Sequence, residues 1–133
     1  MTAAAADRDP KYSDGMLVSA VPKASTTIYG GTLVNTDDTT GKAEPATDAS
    51  GKHFAGIAND HVVADDAHME LRRKGVYSMV CASADATWRQ AEVCIVDSQT
   101  VALAATTTAD IKCGRVVEVV SATEVRVAID GYC

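Results

Sequence analysis

The stretch Glu124-Val125-Arg126-Val127-Ala128-Ile129-Asp130 alternates in character. Val125, Val127 and Ile129 fall on one face of an extended chain, and Glu124, Arg126 and Asp130 fall on the other. A period of two is the pattern of a strand with one face on a core and one in water. Ser121-Ala122-Thr123 before it reads as a hairpin turn, and Arg115 to Val120 as the strand that enters that turn. The same signature recurs toward the N-terminus. Glu92 to Val96 and Thr100 to Ala104 read as strands, as do Val76 to Cys81 and Met69 to Arg73, the last two separated at Gly75. Asp85 to Gln90 reads as a single helical turn with Asp85 as its N-cap.

Further upstream, Phe54 to Ala58, Lys42 to Ala46, Thr32 to Asn35, Thr26 to Tyr29 and Gly15 to Val21 complete a set of short strands. They are punctuated by Pro22, by Gly30-Gly31 and by polar turns around Asp37-Asp38 and Thr47 to Gly51. Asn59 to His68 is polar and acidic and reads as a loop. Short strands at close spacing, with no long helix, predict an all-β (mainly β) fold: a small barrel or sandwich. No internal repeat at a fixed period is expected. Residues 1–14 lack strand alternation, are small and polar, and are broken by Pro10, so they read as an extended N-terminal arm, held by a partner chain or folded back on its own domain. Residues 15–133 form the domain.

Composition points the same way. Val, Ile and Thr together number 35, and β-branching favours strands. The apolar residues are mostly small, with 23 Ala and 16 Val against 4 Leu, 1 Phe and 1 Trp. Large side chains supply about 1.5–3 kcal/mol each on burial, so a chain this poor in them is expected to gain stability by association. The net charge of −6 and pI near 4.9 argue against a nucleic-acid partner. The one basic run, Arg72-Arg73-Lys74, reads either as a solvated strand end or as a contact to an acidic neighbouring subunit. No stretch approaches the ~20 apolar residues of a membrane span, and Met1 leads into Ala, Asp and Arg with no leader pattern. Synthesis in a reducing cytoplasm, without membrane association, is the expectation. Cys81, Cys94, Cys113 and Cys133 match no zinc or redox spacing and are expected to be free thiols.

Catalytic motifs are missing from the sequence: there is no G-x-S-x-G, H-E-x-x-H, P-loop or G-x-G-x-x-G. His61, Asp65, Asp66 and His68 cluster in sequence, but the pattern reads as a solvated acidic loop before it reads as a metal site. Trp88, beside Arg89, reads as a plug at one end of the body or as an interface anchor. Tyr132 admits the same two readings. The expectation is a non-enzymatic protein with no cofactor and no metal.

Five segments in order resemble the capsid cement, or head decoration, proteins of tailed phages. They are Tyr29-Gly30-Gly31-Thr32-Leu33-Val34; Phe54-Ala55-Gly56-Ile57-Ala58 after the Ser50-Gly51 turn; and Arg72-Arg73-Lys74-Gly75-Val76-Tyr77. Val93 to Val101, centred on Val96-Asp97-Ser98-Gln99-Thr100-Val101, is the fourth. Gly114 to Val119 with Val125-Arg126-Val127 is the fifth. They span about residues 15 to 130. Where the family often reads Ala-Asp-x-Gly-Lys, this chain has Trp88-Arg89-Gln90-Ala91, and four cysteines are unusual. The resemblance implies a structural protein on the outer surface of the virion, made in the host cytoplasm. It implies binding to the major capsid protein of the expanded shell, self-association as a homotrimer, and an arm that adds to the shell by strand pairing. Pro10 and Tyr12 in the arm, Arg72, Arg73 and Lys74, and Trp88 are the expected capsid or oligomer contacts. Two other readings stand beside this one. One is a virion-surface β-barrel that binds host glycan or another cell-surface ligand. The other is a β-barrel enzyme whose site assembles from scattered residues such as His61, Asp65 and Cys81.

Overall fold

The computed structural model describes Ala6, residues 17–63 and residues 68–129. The arm positions Pro10 and Tyr12, the loop acids Asp65 and Asp66, and Tyr132 and Cys133 lie outside these described residues. The rest is nearly all β, as the alternation predicts. Two five-stranded antiparallel sheets pack as a small sandwich. The first holds β1 (Leu17–Ala20), β2 (Leu33–Asp37), β3 (Ala43–Pro45), β4 (Lys52–Ala58) and β5 (Met69–Arg72). The second holds β6 (Gly75–Val80), β7 (Glu92–Ile95), β8 (Val101–Leu103), β9 (Lys112–Ser121) and β10 (Glu124–Ile129). A single 3₁₀ turn, Ala86–Trp88, is capped by Asp85, whose carboxylate accepts from the Thr87 N–H at 2.8 Å.

The two sheets are built to one plan. In the first the strand order is β1-β5-β4-β2-β3, and in the second it is β6-β10-β9-β7-β8. Both therefore run first, fifth, fourth, second, third. Each sheet curls until a parallel bridge ties the end of its first strand to its third: Pro22 to Ala43, and Val80 to Thr100. Each has a bulge at the same place. Ala55 is left unpaired between Val34–Gly56 and Asn35–Phe54, and Cys113 between Val93–Gly114 and Cys94–Lys112. Each has the same entry into its second strand. Gly31 N–H donates to Ala58 O and Gln90 N–H to Val116 O, both at 2.8 Å; Ala58 N–H donates to Thr32 O and Val116 N–H to Ala91 O, both at 2.9 Å. The expectation concerned a fixed period; the structure shows a repeat of strand plan that has none. The loops differ in length, so the offset between counterparts drifts, and a fixed-period comparison does not see it.

Two core clusters follow from this plan. The smaller belongs to the first unit alone: Ile28, Val34, Ala43, Ala55, Ala58, Val62, Met69 and Leu71. The larger belongs to the second unit, with Met79, Cys81, Val93, Ile95, Val101, Val116, Val125 and Val127, and Leu33, Ala46, Phe54 and Ile57 of the first unit enter it. Strand β4 is thus buried on both faces. The bulge makes this possible, because it places Phe54 and Ile57, three residues apart, on one side and Ala55 and Ala58 on the other.

Two expectations need correction. Thr26 to Tyr29 is not a strand; only Ile28 pairs, in a bridge with Val62 (Ile28 N–H to Val62 O 2.9 Å, Val62 N–H to Ile28 O 2.7 Å). This segment crosses over the first core as a strap. The Asn59 to His68 stretch, read as a polar loop, contributes Val62 to that core with 3% exposure. In β9, register shifts against β10 let Val116 and Val119 face inward at a spacing of three against Val127 and Val125 at a spacing of two. Strict alternation is therefore absent from Arg115 to Val120, although it is a strand.

Two glycines are required by strand approach. A Cβ at Gly56, whose φ is +148°, would lie 2.7 Å from Arg72 O. A Cβ at Gly114 would overlap Ala128 O and Val127 Cγ1. Gly114→Ala should destabilise the fold by about 1–3 kcal/mol, the usual cost of overpacking, measured as a lower denaturant midpoint. An unchanged midpoint would mean that β9 and β10 part at little cost.

Candidate interaction surfaces

Among the basic residues singled out in the sequence, Arg72 ends β5 and its Nε donates to Asn59 Oδ1 at 2.6 Å. Arg73 and Lys74 form the link between the two units, and Lys74 O accepts from the Tyr77 hydroxyl at 2.7 Å. The run is therefore a junction as well as an exposed basic segment. Trp88 is 8% exposed and sits in the larger core. That position matches the plug reading, with its flank reaching an apolar groove beside Ala82, Ser83, Val96 and Val101 to Leu103.

The residues offered for chemistry are distributed over both units. Cys81 belongs to the second core, where its thiol donates to Ala122 O at 3.7 Å. His61 belongs to the first unit and meets Tyr29 edge-on, with ring centroids 5.3 Å apart. His68 lines a groove of about 620 Å³ with Leu17, Val18, Ser19, Asp60, Met69 and Glu70, beside strand β1. Among the described residues, no three of His, Cys, Asp or Glu are placed to hold a metal ion. Burial pushes the Cys81 and Cys94 thiols up.

The strongest electrostatics lie where loops are closed. Lys52 Nζ reaches Asp37 Oδ2 at 2.8 Å and Glu44 Oε1 at 2.5 Å, and Lys23 reaches Glu44 from the other side at 3.5 Å. Lys52, then the Thr39 and Thr40 N–H groups, hold the Asp37 carboxyl down at about 2. Asp37 and then Glu44 hold the Lys52 amine above its ordinary value. Asp48 clips the two units together: its carboxylate accepts from Thr108 N–H at 2.8 Å and Ala109 N–H at 2.7 Å in the β8–β9 loop. Those two bonds lower its pKa. Leu33 N–H adds a backbone bond across the units to Ser98 O at 2.8 Å. Asn35, fully buried at the same junction, donates to Thr47 O at 3.1 Å, while its Oδ1 has no partner. An orphaned buried acceptor costs about 1–3 kcal/mol.

The outer faces differ between the units. On the second, Glu92 pairs with Lys112 and Arg115, each at 3.0 Å, and Glu118 with Arg126 at 3.6 Å. Exposed valines 76, 80, 117 and 120 lie among these charges. On the first, exposed apolar residues are Leu17, Val21, Tyr29 and Val63. Strand β1 stands first in its sheet and, among the described residues, pairs along its length with β5, while the segment that continues it bridges β3 through Val21 O, Lys23 N–H and Ala43. The sequence reading passed over Tyr29, His61, Asp48 and Lys52 as surface contacts or clips. A Tyr before a Gly-Gly pair was the available signal for the first of them.

Compared with protein-family models, with curated proteins and with solved structures, the chain finds no match.

Two predictions follow the titrating groups and the thiols. A carboxylate with a lowered pKa stabilises the fold above its unfolded value and loses that contribution as it protonates. For Asp37 the loss runs from 3.8 down to about 2. The melting temperature should therefore fall steeply across that window, and less steeply in an Asp37→Asn, Asp48→Asn variant; identical slopes would remove these carboxylates as its source. At the basic end the raised Lys52 gives the opposite sign, with stability full below 10.5 and lost only as pH climbs through its higher folded value. Separately, Cys81, Cys94 and Cys113 are buried. Peptide mapping after iodoacetamide treatment should find them unmodified in native protein and modified in denaturant. Rapid native labelling of any of the three would mean that the core opens locally.

Proposed function

We propose that this chain is a capsid decoration protein: a non-enzymatic β body that binds the outer surface of an expanded tailed-phage head and braces it. The sequence resemblance motivates the reading, and the observation that carries it is the position of β1. This strand stands first in the first sheet, and residues 1–14 precede it in the chain. An arm attached there would start from the first strand of that sheet, and its backbone N–H and C=O groups would serve strand addition to a shell subunit. The other groups with shifted pKa values support a structural role. Asp37, Asp48, Lys52, Asp85, Glu92 and Lys112 are each engaged in turns, clips or ion pairs that hold the body rigid.

Binding repeated over a closed lattice makes modest single affinities effective. A clamp that recognises the assembled shell and not free subunits stabilises assembly by linkage. Self-association as a trimer would multiply the arms presented by each unit. Co-sedimentation with matched empty shells tests the proposal. Saturable binding to expanded shells and none to unexpanded ones is expected; binding to neither would refute it. Removing residues 1–14 should leave the body folded and weaken binding, and full binding by the truncated protein would remove the arm from the mechanism.

A further inference from the structure

The two units differ most in how they treat one shared position. Tyr29 stands two residues before Gly31 and Trp88 two residues before Gln90. Gly31 and Gln90 are matched by their hydrogen bonds and by positive φ, +79° and +68°. Tyr29 is therefore the counterpart of Trp88. Trp88 is buried in the core that Leu33, Ala46, Phe54 and Ile57 of the first unit also enter. Tyr29 is 63% exposed. Its neighbours follow the bridge between Ile28 and Val62: those two point into the core, and Tyr29, His61 and Val63 beside them form one surface.

We infer that this surface is the face by which the first unit docks on the shell protein, through an apolar β-sheet face of that partner. The inference rests on the decoration reading above. Its template is internal: the second unit's aromatic lies in a core that receives a sheet face bearing Leu33, Phe54 and Ile57, and the first unit's aromatic is left exposed, with no such face over it among the described residues. A second copy stacked head-to-tail through its second unit does not fit. By strand pairing, the counterparts of Leu33, Phe54 and Ile57 in the second unit are Glu92, Lys112 and Arg115. These are ion-paired on the surface, and seating them on Tyr29 and Val63 would strip water from three charges. An exposed aromatic that a partner buries is also the usual composition of a binding hot spot.

The test is pelleting with expanded empty shells, with circular dichroism and melting temperature confirming each fold. Tyr29→Asp should weaken binding at least tenfold, Val63→Asp should weaken it from the neighbouring side chain, and Tyr29→Trp should preserve it. Val120→Asp, at an equally open valine of β9, should bind as the unaltered chain does. If the folded Tyr29→Asp and Val63→Asp proteins both bind normally, the docking face is wrong and the decoration reading survives. If the unaltered protein binds no shell, the decoration reading fails, and the named partner with it. If Tyr29→Asp instead dissolves a self-assembled species seen by sedimentation equilibrium and leaves shell binding intact, the occupant is a second copy and the inference is overturned.

Discussion

Strand β4 has to serve two cores at once. An ordinary strand offers one set of alternate residues to each side, but the large residues here are Phe54 and Ile57, three apart. The unpaired Ala55 shifts the alternation by one, so both reach the shared core while Ala55 and Ala58 fill the first. Gly56 then lies against the backbone of β5 with no room for a methyl group. The small side chains of this protein acquire a purpose in that setting. Alanines on the inner side of β4 let the strap through Ile28 and Val62 approach closely, so the first sheet is covered on both faces. Close backbone approach replaces bulk.

The same bulge and the same crowded glycine recur in β9, and the two units are copies of one design that have diverged by position. Where the first unit's outer face meets the second, it carries Leu33, Phe54 and Ile57. Where the second unit's outer face meets water, the matching positions carry Glu92, Lys112 and Arg115. This is the pattern of a stacked repeat in which one member carries a polar outer face. Ion pairs on that face, more than half exposed for Lys112 and Arg115, are screened by solvent and add little to stability. Their effect is to keep the face from stacking further.

A body tied together this way would serve the proposed bracing role. The Asp48 clip, the Leu33–Ser98 bond and the shared core fix one unit against the other. The network at Lys52 closes the end of the sheet where β2, β3 and β4 meet. Load applied at strand β1 would pass through β5 into β4, which like its neighbour β2 touches both cores, and so into the whole sandwich.

The sequence by itself determined most of the element list. Period-two alternation from Glu124 to Ile129, glycine and proline punctuation, and the Asp85 cap all survive into the structure, because each is a local preference of the backbone. The all-β class followed for the same reason. What the tertiary structure decided was everything that depends on pairing. The repeat was hidden because its identity lies in strand order and bulge position, and unequal loops remove any fixed spacing. The strap through Ile28 and Val62 was read as a strand and a loop, since neither segment shows what lies beneath it. Tyr29 and Trp88 look alike in sequence, each an aromatic just before a turn. Only packing separates them: one is enclosed in the shared core, and the other is left in water.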